Sequence, residues 1–163
     1  MDLPPLTMEA LSKTIAEAPT SQELYDILFQ YESEACLMFT EKEVTGDPQL
    51  LSTFYASYLI SLLLIDQMSV SPSLVIPCNC ELTEHFSSEA RMLTYRMPPT
   101  MRNDGPALQN CQMLLRALWQ YQYPAVYRIL RELPWPDPLK GVVQKYDGER
   151  TRPHARGRLH FID

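Results

Sequence analysis

An all-α fold, a stack of short helices in antiparallel pairs, is what this sequence of 163 residues predicts, on three observations. Apolar residues recur at helical spacing almost from end to end. Prolines and cap residues fall where such helices would begin and stop. Strand alternation is nearly absent. A content of 45% hydrophobic and 21% charged residues is that of an ordinary globular domain able to bury one sizeable core. The long apolar run from Tyr58 to Ile65 falls far short of the roughly 20 residues that cross a bilayer, and Asp66 closes it. Met1 to Leu6 carries an acid and two prolines where a secretory signal needs positive charge and an apolar run. The protein is therefore expected inside the cell.

The elements follow in order. A first helix over Thr7 to Ala18 places Leu11 and Ile15 on one face, and Ala18-Pro19 ends it. Thr20 and Glu23 form a capping-box pattern. Leu24, Ile27, Leu28 and Tyr31 follow as an apolar stripe, in a helix expected to reach about Thr40. Asp47-Pro48 is a cap with proline at the first helical position. It opens the strongest helix, with Leu51, Phe54, Tyr55, Tyr58, Leu59, Leu62 and Ile65 on one face and Ser52, Ser57 and Ser61 on others. Ser69 to Ser87 holds Pro72, Pro77 and a Cys-x-Cys without a helical stripe, and reads as an inserted loop. Ser88 to Met97 resumes as a helix with Ala90 and Leu93 inward, stopped by Pro98-Pro99. Gly105-Pro106 starts another, with Leu108, Cys111, Leu115, Leu118 and Trp119 sharing a face. Tyr123-Pro124 opens the next, with Val126, Ile129, Leu130 and Leu133 apolar, before Pro134-Trp135-Pro136 breaks the chain. Asp137-Pro138 caps a last helix through Val142 and Val143.

Short helices and short Pro-marked loops point to a small right-handed helical-repeat stack over residues 1–146 with 69–87 inserted, although no fixed sequence period is visible. Residues 147–163 hold four arginines and two histidines without an apolar stripe, and are expected to form a basic, disordered tail. The formal charge of −6 is uneven: residues 1–146 carry 10 Lys+Arg against 17 Asp+Glu, and 147–163 carry 4 against 3. An acidic body repels phosphate backbones, which makes nucleic acid an unexpected partner.

Little in the sequence assembles chemistry. Cys78, Cys80 and His85 supply three soft ligands where a zinc site uses four, and no second cysteine pair exists. Cys36 and Cys111 read as small buried hydrophobes. A cysteine nucleophile needs a base, and His85, His154 and His160 all lie in loop or tail. The glycines are scattered, with no phosphate-binding loop. Glu32, Glu34, Glu41 and Glu43 read as a solvated face. No catalytic residue, cofactor, metal or small-molecule substrate is expected, and binding is the predicted activity.

The most distinctive segment is Leu118 to Trp135, with two tryptophans and three tyrosines. Trp119, Tyr127 and Trp135 are expected to fill the gap between two helices. Together with Ala90-Arg91-Met92-Leu93 and Arg96-Met97-Pro98-Pro99, this segment resembles the subunit-eight family of the COP9 signalosome. The residues that carry the likeness are Ala90, Arg91, Leu93, Arg96, Pro98, Trp119, Tyr123, Tyr127 and Trp135, in the family's order and at compatible spacing. The resemblance covers roughly residues 88–146 and, more loosely, the helix from Phe54 to Met68.

The resemblance implies a PCI-type, TPR-like helical stack and a structural subunit of the nuclear and cytoplasmic complex that removes the ubiquitin-like protein Nedd8 from cullins. The metalloprotease chemistry would belong to a different subunit, and the partners would be the other signalosome subunits. A proteasome regulatory-particle lid subunit and subunit k of translation initiation factor three share the domain. Three departures stand out. Thr94 occupies a position where the family tends to have tryptophan. The insertion over 69–87 separates Asp66-Gln67-Met68 from Ser88-Glu89-Ala90-Arg91, as a retained intron would, a hypothesis that transcript sequencing without a spliced form would count against. The winged helix and long C-terminal helix of the family are not expected here, where Asp147 to Asp163 follows instead.

Overall fold

The computed structural model describes residues 4–40, 43–69, 90–102, 105–120 and 122–144. Its helices are α1 (Met8–Glu17), α2 (Ser21–Leu37), α3 (Pro48–Ser69), α4 (90–96), α5 (Pro99–Arg102), α6 (Pro106–Trp119), α7 (Tyr123–Glu132) and α8 (139–144). Nearly all of the inserted loop over 69–87 and the whole tail over 147–163 lie outside the described residues. The packing order follows the chain order. α3 lies between α2 and α6, α1 covers α2 and α3, and α7 packs on the far side of α6. This is the predicted all-α helical stack.

Local chemistry sets where the helices begin. Thr7 caps α1 by accepting the Ala10 N–H at 3.2 Å, and Thr20 caps α2 by accepting the Glu23 N–H at 3.2 Å. Asp47 Oδ1 accepts the Gln49 N–H at 2.9 Å, with Pro48 at the first position of α3. Gly105 precedes Pro106 at φ 83°, a conformation that favours glycine, and lets the chain turn into α6.

α2 buries Leu24, Leu28, Tyr31 and Ala35 at helical spacing and stops at Leu37, short of the expected Thr40. The early stop comes from a tight return in which the Met38 carbonyl accepts the N–H groups of both Thr45 and Gly46, at 2.9 and 2.8 Å. Phe39 and Val44 bridge across it. A Cβ on Gly46 would stand 2.8 Å from the Met38 Cβ, so only glycine fits this approach.

α3 is the centre of the molecule. Every residue from Leu50 to Leu63 is buried, as expected of a helix enclosed by partners on all sides. Ser52, Ser57 and Ser61, on the other faces, are buried as well. Ser57 donates to the Thr53 carbonyl at 2.7 Å and Ser61 to the Tyr58 carbonyl at 2.8 Å, which satisfies hydroxyls that burial would otherwise penalise. Phe54 stands edge-on to Tyr55 with centroids 5.1 Å apart, and Tyr25 of α2 meets Tyr58 at 5.6 Å. Aromatic contacts thus join α2 to α3.

On the other side, Cys111 of α6 directs its thiol at the Ala56 carbonyl at 3.7 Å, and Ala107 and Ala117 keep that face of α6 shallow. The buried stripe of α6 runs through Leu108, Cys111, Leu114 and Ala117. Leu115 and Leu118 flank it half-buried, and Trp119 leaves it. The Gln122 N–H donates to the Ala117 carbonyl at 2.8 Å, closing a short turn that folds α7 back on α6. Val126, Ile129 and Leu130 of α7, then Leu139, Val142 and Val143 of α8, complete the core.

Candidate interaction surface

α4 divides cleanly. Ala90, Leu93, Met97 and Pro98 are buried, while Arg91, Met92, Tyr95 and Arg96 face outward. This is the amphipathic pattern that the sequence predicts for residues 88–97. Pro98 ends the helix and Pro99 begins α5, whose Arg102 turns back on α4. Its Nη2 donates to the Tyr95 carbonyl at 2.7 Å and its Nε to the Met97 carbonyl at 3.3 Å. An arginine thus caps the exposed carbonyls at the end of α4. Gln112 of α6 donates to the Arg102 carbonyl, which ties this corner to the core.

Arg96 reaches across to α2. Its Nη1 lies 2.9 Å from Glu32 Oε1, an ion pair lying off the hydrogen-bonding line, with the Arg96 side chain 53% exposed and that of Glu32 only 9%. The Tyr58 hydroxyl makes a long contact with Glu32 Oε2 at 3.4 Å. Glu32 is therefore a buried structural carboxylate and not part of a solvated face. Its place was visible in the sequence, because Leu24, Leu28 and Glu32 repeat at intervals of four along one face of α2. Glu34 is engaged too, accepting the Leu6 N–H at 2.8 Å.

Burial raises the Tyr58 hydroxyl pKa well above the usual 10.0, helped by the negative charge of Glu32. Burial raises Tyr55 in the same way, with the Cys36 thiol 3.9 Å from its oxygen. Both hydroxyls stay protonated at neutral pH, and that of Tyr58 is the donor toward Glu32. Cys36 itself is exposed, contrary to the sequence reading, because it sits one residue past Ala35 and off the buried stripe of α2. Cys111 is buried as expected, and complete burial raises its thiol pKa, which keeps it protonated and a poor nucleophile.

The outward face carries the correction for Trp119. It does not fill the gap between helices but stands 47% exposed at the end of α6, with the Arg91 guanidinium 5.3 Å from its ring centroid. Arg91 also lies 5.9 Å from the Tyr95 centroid, and Arg102 covers Tyr95 at 5.5 Å. Met92 is 60% exposed and Tyr95 58% exposed beside them. Tyr127 is half-buried under Arg131, at 5.5 Å. Trp135 is half-buried against the core, with its indole nitrogen sealed from solvent and unbonded. Asn110, which the sequence reading passed over, donates to the Pro134 carbonyl at 3.0 Å and anchors the loop that carries Trp135. The side chain of Tyr123 lies outside the described residues.

The motif residues thus divide by role. Ala90, Leu93 and Pro98 seat α4, Arg96 pairs with α2, and Arg91 and Trp119 stack on the surface. The charge divides along the same line. Residues 1–69 carry 2 Lys+Arg against 11 Asp+Glu, whereas 90–146 carry 8 against 3. Among the described residues no three of His, Cys, Asp and Glu converge as metal ligands, and no helix is long and apolar enough to cross a membrane. Cys78, Cys80, His85, His154 and His160 lie outside the described residues.

The sequence matches known proteins in two comparisons. Residues 80–155 match the CSN8/PSMD8/EIF3K family, a span that contains every motif residue from Ala90 to Trp135. The chain is 40% identical to the COP9 signalosome complex subunit 8 of Emericella nidulans over 147 residues, which cover 90% of this chain and 59% of the relative. The match therefore spans less than two thirds of that protein's length. No solved structure matches the chain. The chain thus resembles the CSN8/PSMD8/EIF3K family over residues 80–155, and a signalosome subunit 8 over 90% of its own length.

Proposed function

We propose that this protein is a non-catalytic scaffold subunit of the COP9 signalosome. In this role it presents helix surfaces to neighbouring subunits and so supports cullin deneddylation and the regulation of ubiquitin ligases in nucleus and cytoplasm. The observation that carries this reading is the 40% identity to a signalosome subunit 8 across 90% of the chain. The residues support it in kind. Large apolar side chains stand in water on α4 and α6, at Met92, Tyr95, Met113 and Trp119, where a subunit would meet a neighbour. The buried Cys111 thiol and the Glu32 carboxylate are both used in contacts between helices.

Affinity purification of the tagged chain from its own cells, followed by mass spectrometry, tests the proposal. Co-purification of the other signalosome subunits is expected. The family model also spans the proteasome lid subunit and initiation factor subunit k, which makes a sister complex the second reading. Recovery of lid or initiation-factor subunits in place of signalosome subunits would move the protein there, and recovery of neither would sink both readings.

A further inference from the structure

We propose that the outward face shared by α4 and the end of α6 is a docking site for an acidic peptide segment of a partner protein, with an apolar side chain as its anchor. The inference goes beyond the scaffold role and stands whichever assembly the chain joins.

Arg91 is the centre of the site. Its guanidinium lies against the rings of Trp119 and Tyr95, at 5.3 and 5.9 Å from their centroids. A cation–π contact uses the charge of a guanidinium and does not consume its N–H hydrogen-bonding capacity. Among the described residues Arg91 has no carboxylate partner, whereas Arg96 has Glu32 and Arg102 is taken up by the carbonyls of Tyr95 and Met97. A carboxylate presented from outside would meet a fork of donors already held in place, the geometry that favours a bidentate pair. Preorganisation lowers the ordering cost of that pair. Beside it, Met92, Tyr95 and Trp119 stand about half exposed or more and form an apolar shelf for a neighbouring side chain.

Charge selects the sign of the partner. Residues 90–146 carry 8 Lys+Arg against 3 Asp+Glu, while 1–69 carry 2 against 11 and 70–89 carry none against 3. A short acidic segment is attracted to the α4–α8 region and repelled from α1–α3, which fixes where it lands. A long polyanion such as RNA feels the net −6 of the whole chain and needs several free cations in a row.

The test is fluorescence anisotropy with the full chain and a fluorescein-labelled peptide in which glutamate alternates with leucine around a central phenylalanine. A lysine-for-glutamate peptide and a labelled oligouridylate serve as competing probes. Saturable binding of the acidic peptide is expected, weakening as salt rises from about 50 to about 200 mM. Arg91→Glu and Trp119→Ala should each weaken it by about tenfold or more, with Arg91→Lys in between. Lys13→Ala on α1, outside the basic region, should leave it unchanged. Circular dichroism melting of each variant verifies that the fold is kept, since all these side chains are exposed. Absence of saturable binding, indifference to Arg91→Glu, preference for the oligouridylate, or self-association through this face would overturn the proposal.

Discussion

α3 and α4 are helices of one small protein built to opposite plans. α3 is buried on every side from Leu50 to Leu63, carries no charge between Asp47 and Asp66, and turns Ser57 and Ser61 back on its own carbonyls. α4 buries only Ala90 and Leu93, and exposes Arg91, Met92, Tyr95 and Arg96. The difference teaches that stability and recognition are housed separately. Substitutions in α3 act on folding, and substitutions on the outer face of α4 act on binding.

The largest effect belongs to the centre. Phe54→Ala removes a ring packed against Tyr55 and Tyr58 at full burial, and is expected to cost about 3–5 kcal/mol in urea denaturation. A loss below about 1 kcal/mol would mean that α3 is not the core of the fold.

Alkali attacks the same centre. The Tyr55 and Tyr58 pKa values are raised above the ordinary 10.0 in the folded state, chiefly by burial, so the folded chain holds these protons more tightly than the unfolded chain does. The associated stability is fully present below about pH 10 and is lost as pH rises through the folded values. Loss of helical ellipticity should accompany ionisation of these buried tyrosines above about pH 10. Complete ionisation of all nine tyrosines with ellipticity intact would break the account of α3.

The junction between the two plans is Arg96 with Glu32. Arg96→Ala leaves a mostly buried carboxylate with only the long Tyr58 contact, yet Arg96 itself is half exposed, so water partly replaces it. An expected cost of about 1–2 kcal/mol lies below that of breaking a fully buried pair. A double-mutant cycle with Glu32→Ala measures the coupling, and a value near zero would make this ion pair incidental.

Much of the fold was legible because helix starts are local events. Thr7, Thr20, Asp47-Pro48 and Gly105-Pro106 announce α1, α2, α3 and α6 through atoms within three residues of each cap. Which face of a helix is buried is decided by distant neighbours, and there the reading held for the main stripes of α1, α2, α3, α4 and α7 but missed particular residues. Ser57 and Ser61 look polar and are enclosed, and Cys36 looks apolar and is exposed. Trp119 looks like core and lies at the surface, because the buried stripe of α6 runs through Leu108, Cys111, Leu114 and Ala117 and leaves it to one side. The motif residues were found by resemblance, but the stacking of Arg91 on Trp119 joins positions far apart in sequence that only the fold brings together.

At the small end of the scale, Trp119→Ala is expected to change stability by no more than about 0.5 kcal/mol in the same denaturation experiment. A larger loss would show that the outer face supports the fold after all.

The separation of stability from recognition is tested most directly by measuring subunit recovery in affinity purification against melting temperature for the wild type, Phe54→Ala, and an Arg91→Glu/Trp119→Ala double variant. The double variant is expected to melt with the wild type yet recover fewer partner subunits, while Phe54→Ala loses both. Recovery that simply follows melting temperature across the three proteins would contradict the account.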